Sequence, residues 1–362
     1  MSEIERVIEE CIDCNICVEN CEFLKRVCET PRELAERFNS GYFREKPEVP
    51  YSCNLCNLCG ELCPVDLNIG RMCLETRQQM VKEGLGPLPA HKKFVEKEQE
   101  RVFSDSFTLS LPDPAAKECH RAFFPGCMLS GYSPFLVVKT YDYLRKNLPG
   151  TGIILGCCGS PTHELGEEAK FQEMLSQLNS KMRKLGASEM ILACPYCYYT
   201  LKDQTLQFKL KSLYEVMTEV GLPGGLKQRE WTFSLHDSCK ARWEGNLQDS
   251  VRSLVSRMGY RIEEMEYSRD KTHCCGAGGA IACADFDLAI SVTNKRAAAA
   301  PFDILTYCAT CRETLAREKP AIHILDLIFN PDWEKDRLKP PNRASIRREN
   351  QSLLKSQLEG RK

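Results

Sequence analysis

Short apolar runs recur through the later two-thirds of the chain, separated by longer amphipathic stretches. Ile153-Ile154-Leu155, Met190-Ile191-Leu192-Ala193, Phe233-Ser234-Leu235 and Asp303-Ile304-Leu305-Thr306 read as buried strands. Helical stretches near 165–185, 241–258 and 284–299 separate several of them. Such alternation predicts α/β architecture with mostly parallel sheets. The first 95 or so residues read instead as helical. Thr30-Pro31-Arg32-Glu33 is a helix start, with Thr30 as cap, Pro31 in the first turn and Glu33 placed to close a capping box. A second helix is expected from Leu67 to about Lys82. From Lys92 to Lys117 the chain is charged and then rich in Pro, Ser and Asp, which predicts a linker. From Glu334 onward it carries nine Lys or Arg against four Asp or Glu and two adjacent prolines, a solvated tail in which Ile346, Leu353, Leu354 and Leu358 could share one helix face.

A length of 362 residues calls for two or three domains. The formal net charge of −1 gives no basis for nucleic acid or a membrane surface as partner. No run approaches the ~20 apolar residues of a membrane span, and the acidic N-terminus lacks the features of a secretory signal. The expectation is a cytoplasmic chain, membrane-associated only through a partner. Cysteine changes the picture, at 22 of 362 residues. In a reducing compartment, clustered cysteines are more often metal ligands than disulfides.

Two runs are chemically specific. Cys11-x2-Cys14-x2-Cys17-x3-Cys21 and Cys53-x2-Cys56-x2-Cys59-x3-Cys63-Pro64 repeat the spacing that binds a cubane [4Fe–4S] cluster. Tight x2 loops bring three thiolates to three corners of one cube; the fourth corner needs a remote residue. In two-cluster ferredoxins the fourth cysteine of each run serves the other cluster. One cluster is therefore expected on Cys11, Cys14, Cys17 and Cys63, the other on Cys53, Cys56, Cys59 and Cys21. Zinc is the competing reading, but it explains neither the third cysteine nor the fourth. Cys21 is followed by Glu22 rather than proline, a small departure. The 31 residues between Cys21 and Cys53 include the capped helix, so the region resembles the α-helical ferredoxin domains of respiratory enzyme subunits.

A second pattern is a tandem repeat. Cys127, Cys157-Cys158-Gly159 and Cys194-Pro-Tyr-Cys197 recur as Cys239, Cys274-Cys275-Gly276 and Cys308-Ala-Thr-Cys311, at offsets of 112, 117 and 114 residues. With Phe-Phe-Pro-Gly before Cys127, Leu-His-Asp-Ser before Cys239 and Gly-Ala-Gly-Gly after Cys275, residues 119–330 resemble the CCG-domain family. That family includes heterodisulfide reductase catalytic subunits and the iron–sulfur subunits of glycolate, lactate and glycerol-3-phosphate dehydrogenases. The resemblance implies a noncubane four-iron cluster on Cys127, Cys157, Cys158, Cys194 and Cys197, and another on Cys239, Cys274, Cys275, Cys308 and Cys311, with zinc as the alternative at either set.

The expected organisation is a helical two-cluster ferredoxin domain (1–95), a linker (96–118), two CCG domains (119–228 and 229–333) and a charged tail (334–362). Adjacent cysteines cannot both face inward on a strand, so each Cys-Cys-Gly demands an irregular turn. Gly159, Gly276, Gly278 and Gly279 are expected where backbone approaches a cluster. The likeness of Gly276-Ala-Gly278-Gly279 to a dinucleotide fingerprint lacks a preceding strand and a placed acidic residue. No flavin is expected in this chain, so the two-electron partner is a flavoprotein or other donor subunit. Cys194, Cys197, Cys308, Cys311 and His273 are the catalytic candidates, with His236 and His273 each close to a ligand. Cys28, Cys73, Cys119 and Cys283 fall outside the motifs and are expected to be small buried hydrophobes. Two activities follow from the resemblance: reduction of a small disulfide, or relay of electrons between a flavin-linked dehydrogenase and a quinone or other carrier.

Overall fold

The computed structural model describes residues 1–225 and 230–361, so the expected boundary at 228–229 lies outside the described residues. Residues 3–82 form seven short α-helices and one 3-10 turn. Thr30 caps the helix Pro31–Asn39, accepting from the Glu33 amide at 3.2 Å, while the Glu33 carboxylate accepts from the amide of Glu29 rather than that of Thr30. The helix Ile69–Lys82 is capped by Asn68. In the two cysteine runs, Asp13 and Asn15 match Leu55 and Asn57, all four at positive φ. The same left-handed loop is thus built twice, and Asn suits that conformation better than most residues.

Nine strands form two sheets. The first contains β1 (Leu109–Leu111), β2 (Arg121–Phe124), β3 (Thr151–Leu155), β4 (Glu189–Leu192) and β5 (Lys209–Ser212), in the order β1-β3-β2-β4-β5. The second contains β6 (Thr232–His236), β7 (Arg261–Glu264), β8 (Ile304–Thr306) and β9 (Ala321–His323), in the order β7-β6-β8-β9. All pairings are parallel except β1 with β3. Without β1, the two sheets have the same strand order, as the cysteine repeat predicts. The helices Glu168–Leu185, Gly245–Arg257 and Phe286–Ala298 lie close to where the periodicity puts them.

One apolar core runs through both repeats, from Phe123 and Tyr214 to Leu235 and Tyr307. The N-terminal helices share their own core with Ile281, Leu288 and Ala289 of the second repeat. The helical half is therefore packed on the second repeat by apolar burial as well as by the polar contacts below.

Two expectations need correction. Residues 96–118, expected as a linker, continue a helical stretch to Phe103, bury Val102 and Phe107, and supply β1. The polar and proline-rich residues on either side concealed the short strand Leu109–Leu111, whose leucines pack on the core. The charged tail holds the helix Ala344–Glu359, which buries Leu354 and Leu358 against the first repeat and leaves Ile346 and Leu353 exposed. Its Gln351 donates to the carbonyl of Cys127 at 2.8 Å. No helix among the described residues is long and apolar enough to cross a membrane.

Candidate metal centres

All 22 cysteines are free thiols. In the helical half they converge in two groups. One cavity is lined by Cys11, Cys14, Cys17 and Cys63 with Ile12, Ile16, Leu67 and Ile69. Burial, then the neighbouring Cys63, Cys11 and Cys14, pushes the Cys17 thiol up to about 12. A second cavity is lined by Cys21, Cys53, Cys56 and Cys59, and also by Cys17, His273, Cys274 and Arg296. Burial raises the Cys21 thiol too, followed by Cys56, Cys53 and Cys59. Cys21 thus lies among the second run and Cys63 among the first, the crosswise grouping expected of paired cubane motifs.

The tandem half brings together ten more thiols. Cys127 and Cys157 sulfurs are 3.6 Å apart. Cys158 and Cys197 pack together with Cys194 against them. In the second repeat Cys275, Cys308 and Cys311 pack together, and Cys239 lies beside Cys274. Cys194 also packs against the group that holds Cys308, so the two sets meet. The strand ends explain the convergence. Cys194 and Cys308 cap helices at the carboxyl edges of β4 and β8, where a parallel sheet presents its crevice. Gly159 (φ 80°) and Gly276 (φ 97°) make the turns that let adjacent cysteines face one site. Donation from the Cys197 and Cys308 thiols, helped by the Cys197 and Tyr196 amides, holds Cys194 well below the usual thiol range; Cys308 is pushed up to about 11 by Cys194.

Several neighbours were not legible in the motifs. The buried Tyr214 hydroxyl lies 3.0 Å from the Ala193 carbonyl and 2.8 Å from that of Tyr307, tying together the residues before Cys194 and Cys308. Gln99, from the supposed linker, places its amide oxygen 3.6 Å from the Cys157 sulfur. Cys73 and Cys119 are buried as expected, while Cys28 and Cys283 are half-exposed. Cys73 does more than fill space: it packs beside Cys53, which it draws down to about 7. Only the packing of the helix Ile69–Lys82 reveals that contact.

The histidines separate. His236 Nδ1 accepts from Arg296 Nε at 3.0 Å, so Nε2 carries the proton. That Nε2 is buried and unpartnered, and a ring nitrogen of His236 lies within 4.8 Å of the Cys275 and Cys311 sulfurs. His273 lines the second four-thiol cavity and stacks on Tyr267 at 4.3 Å. Burial, then Arg296, Lys295 and Arg242, pulls it down to about 4.

The seam between the halves is polar and tight. Lys240 Nζ reaches the Leu55 carbonyl at 2.9 Å and the Glu164 carboxylate at 2.7 Å, and Glu164 also accepts from Tyr196 and the Gly279 amide. A Cβ on Gly279 would lie 2.3 Å from the Cys53 carbonyl oxygen, and one on Gly278 2.5 Å from that of Asn54. The Gly-Ala-Gly-Gly stretch is therefore required by approach to the ferredoxin loop, not by a nucleotide.

This donor set fits iron–sulfur clusters: two groups of four thiols, two of five, and a buried, unpartnered imidazole nitrogen of His236 near the Cys275 and Cys311 sulfurs. Residues 10–68 match the 4Fe-4S dicluster domain, and residues 121–202 and 233–316 match the cysteine-rich domain. One component of the fumarate reductase (CoM/CoB) of Methanothermobacter marburgensis is 25% identical over 79% of this chain and 62% of its own length. One component of the dihydromethanophenazine:CoB–CoM heterodisulfide reductase of Methanosarcina mazei is 22% identical over 76% of this chain and 74% of its own. The EtfAB:quinone oxidoreductase of Syntrophomonas wolfei is 25% identical over 64% of this chain but only 36% of its own. The chain belongs to the CCG-domain iron–sulfur oxidoreductases, with a 4Fe–4S dicluster domain ahead of its tandem repeat.

Proposed function

We propose that the chain carries electrons through two cubane [4Fe–4S] clusters into two noncubane clusters and reduces a small disulfide where the two five-cysteine sets meet. The Cys194–Cys308 contact carries this reading, because a disulfide has two sulfurs to receive and two repeats each offer one exit. When bound, the clusters supply single electrons and iron that accepts sulfur. Two electrons and two protons turn the disulfide into two thiols. The protein's own part is positional. The Tyr196 and Cys197 amides favour a thiolate at Cys194 and the Cys311 amide one at Cys308. Tyr214 fixes the spacing of the two loops. His236 offers an N–H near the Cys275 and Cys311 sulfurs, where negative charge gathers. Cys56 lies near Cys239, so the second ferredoxin site faces the second repeat, the side on which electrons arrive. The CoM/CoB names of two relatives favour thiol chemistry; a flavoprotein or other partner would supply the electrons.

The second reading is a relay between a flavoprotein and a quinone, favoured by the likeness to the EtfAB:quinone oxidoreductase. One assay separates them. Chemically reduced protein, without a partner, should release two thiols per small disulfide, and Cys194→Ser or Cys308→Ser should abolish this while cubane signals persist. Fully loaded protein that ignores a panel of disulfides yet reoxidises with a flavoprotein overturns the first reading.

A further inference from the structure

Three buried guanidiniums stand at the second ferredoxin site, Arg296 in the cavity lining and Arg77 and Arg242 behind its loop, and among the described residues none of them is paired with a carboxylate. Arg77 is 0% exposed and Arg242 2%. Arg77 donates only to carbonyls: Pro50 at 2.9 Å, Glu164 at 2.7 Å, Gly279 at 3.2 Å and Cys53 at 2.6 Å. Arg242 donates to the carbonyls of Cys56, twice at 3.2 Å, of Thr272 at 2.7 Å and of Asp270. Among the described residues neither guanidinium is ion-paired with a carboxylate. Fully buried charges are otherwise paired, because an isolated one is strongly destabilising. Lys240 does not fill this role, since Glu164 neutralises it.

Both guanidiniums bear on one loop. Arg77 holds the peptide carbonyl of Cys53 and Arg242 that of Cys56. Around the first site there is no equivalent among the described residues. Its cavity is lined by cysteines, Asn15 and apolar side chains, and the nearby Arg32 is half-exposed and paired with Asp13 at 3.0 Å.

We propose that Arg77 and Arg242 are the counter-charges of the second ferredoxin cluster and raise its reduction potential above that of the first. This rests on the cubane reading above. A core held by four thiolates is anionic and gains a further negative charge with each electron, so fixed cations favour its reduced form. The gain of one electron needs no bond made or broken and no proton from these residues. The consequence is directional: an electron entering at the first site comes to rest at the second, beside Cys239 and Cys274, before passing into the tandem repeat.

The test is a mediated dithionite titration of the whole, cluster-loaded chain, followed by EPR. In wild type the two ferredoxin signals should titrate apart. Cys14→Ala alters the first site, so the signal it leaves unchanged belongs to the second and should be the one reduced at higher potential. Arg242→Met should shift that signal downward by at least a tenfold change in the reduction equilibrium, 59 mV for a one-electron couple. Arg242→Lys, which keeps the charge, should restore most of the shift. Full iron with an unmoved potential in Arg242→Met overturns the role of the arginine and leaves the cluster assignment standing. If that variant does not fold, the Cys14→Ala chain still decides, because a lower potential at the unaltered site overturns the proposal. Absence of iron from the ferredoxin half overturns both readings.

Discussion

The two tandem repeats share a strand order and a five-cysteine set, yet they are covered in different ways. The second repeat is sealed by the ferredoxin half, through Lys240, Arg242 and the bare backbone of Gly278 and Gly279. The first also meets the ferredoxin half, through Tyr51 and Arg77 at the Leu165 and Glu164 carbonyls, and is covered in addition by flanking segments: β1, Gln99, and the C-terminal helix that holds the Cys127 carbonyl. One motif thus serves two stations. On the function proposed above, the repeat beside Cys56 receives electrons first.

The largest expected effect lies at the seam. Gly279→Ala puts a Cβ against three backbone atoms of Cys53 and Asn54 at φ 67°, and should cost roughly 3 kcal/mol or more, read as a drop in thermal stability with loss of iron. Gly159→Ala, in the first repeat, meets the Phe171 ring at 2.9 Å and the Met174 sulfur at 3.3 Å, side chains that can shift, and should cost about half as much. Equal losses would show that the two repeats are sealed alike.

Lys240→Met leaves the Glu164 carboxylate buried without its cation and should destabilise by about 3 kcal/mol. Adding Glu164→Gln should recover much of that loss in denaturant unfolding; strict additivity would mean that the pair does not act as a unit. On the other covering, Leu354→Ala should cost roughly 2–4 kcal/mol and Leu353→Ala, half-exposed on the same helix, less than about 0.5. If they weigh the same, the tail helix is not docked on the first repeat in solution. Smallest is Tyr214→Phe, which removes one hydroxyl from between the two loops. It should cost about 1 kcal/mol by unfolding and slow disulfide reduction more than it alters iron content. Unchanged kinetics would remove Tyr214 from the junction.

Much of this was legible in the chain itself. The strands β3, β4, β6 and β8 announce themselves because central parallel strands are apolar on both faces. β5 (Lys-Leu-Lys-Ser) and β7 (Arg-Ile-Glu-Glu) do not, because they pair with one neighbour each and keep charged side chains in solvent. Spacing pointed to the three near ligands of each cubane, while the crosswise fourth cysteine and the five-cysteine groupings came from the likeness to two-cluster ferredoxins and to the CCG family. What escaped is remote: Gln99, Tyr214, Arg77 and the Cys73–Cys53 contact join elements far apart in sequence, and no short pattern records them. Gly278 and Gly279 were conspicuous, but the backbone they admit belongs to the other half of the molecule.

Metal content tests the four-cluster assignment most directly. Protein purified without oxygen should hold about sixteen irons per chain and negligible zinc, as two four-thiol and two five-thiol sites each filled by four irons require. Iron near eight with stoichiometric zinc would leave the ferredoxin half intact and contradict the noncubane clusters on which the junction at Cys194 and Cys308 depends.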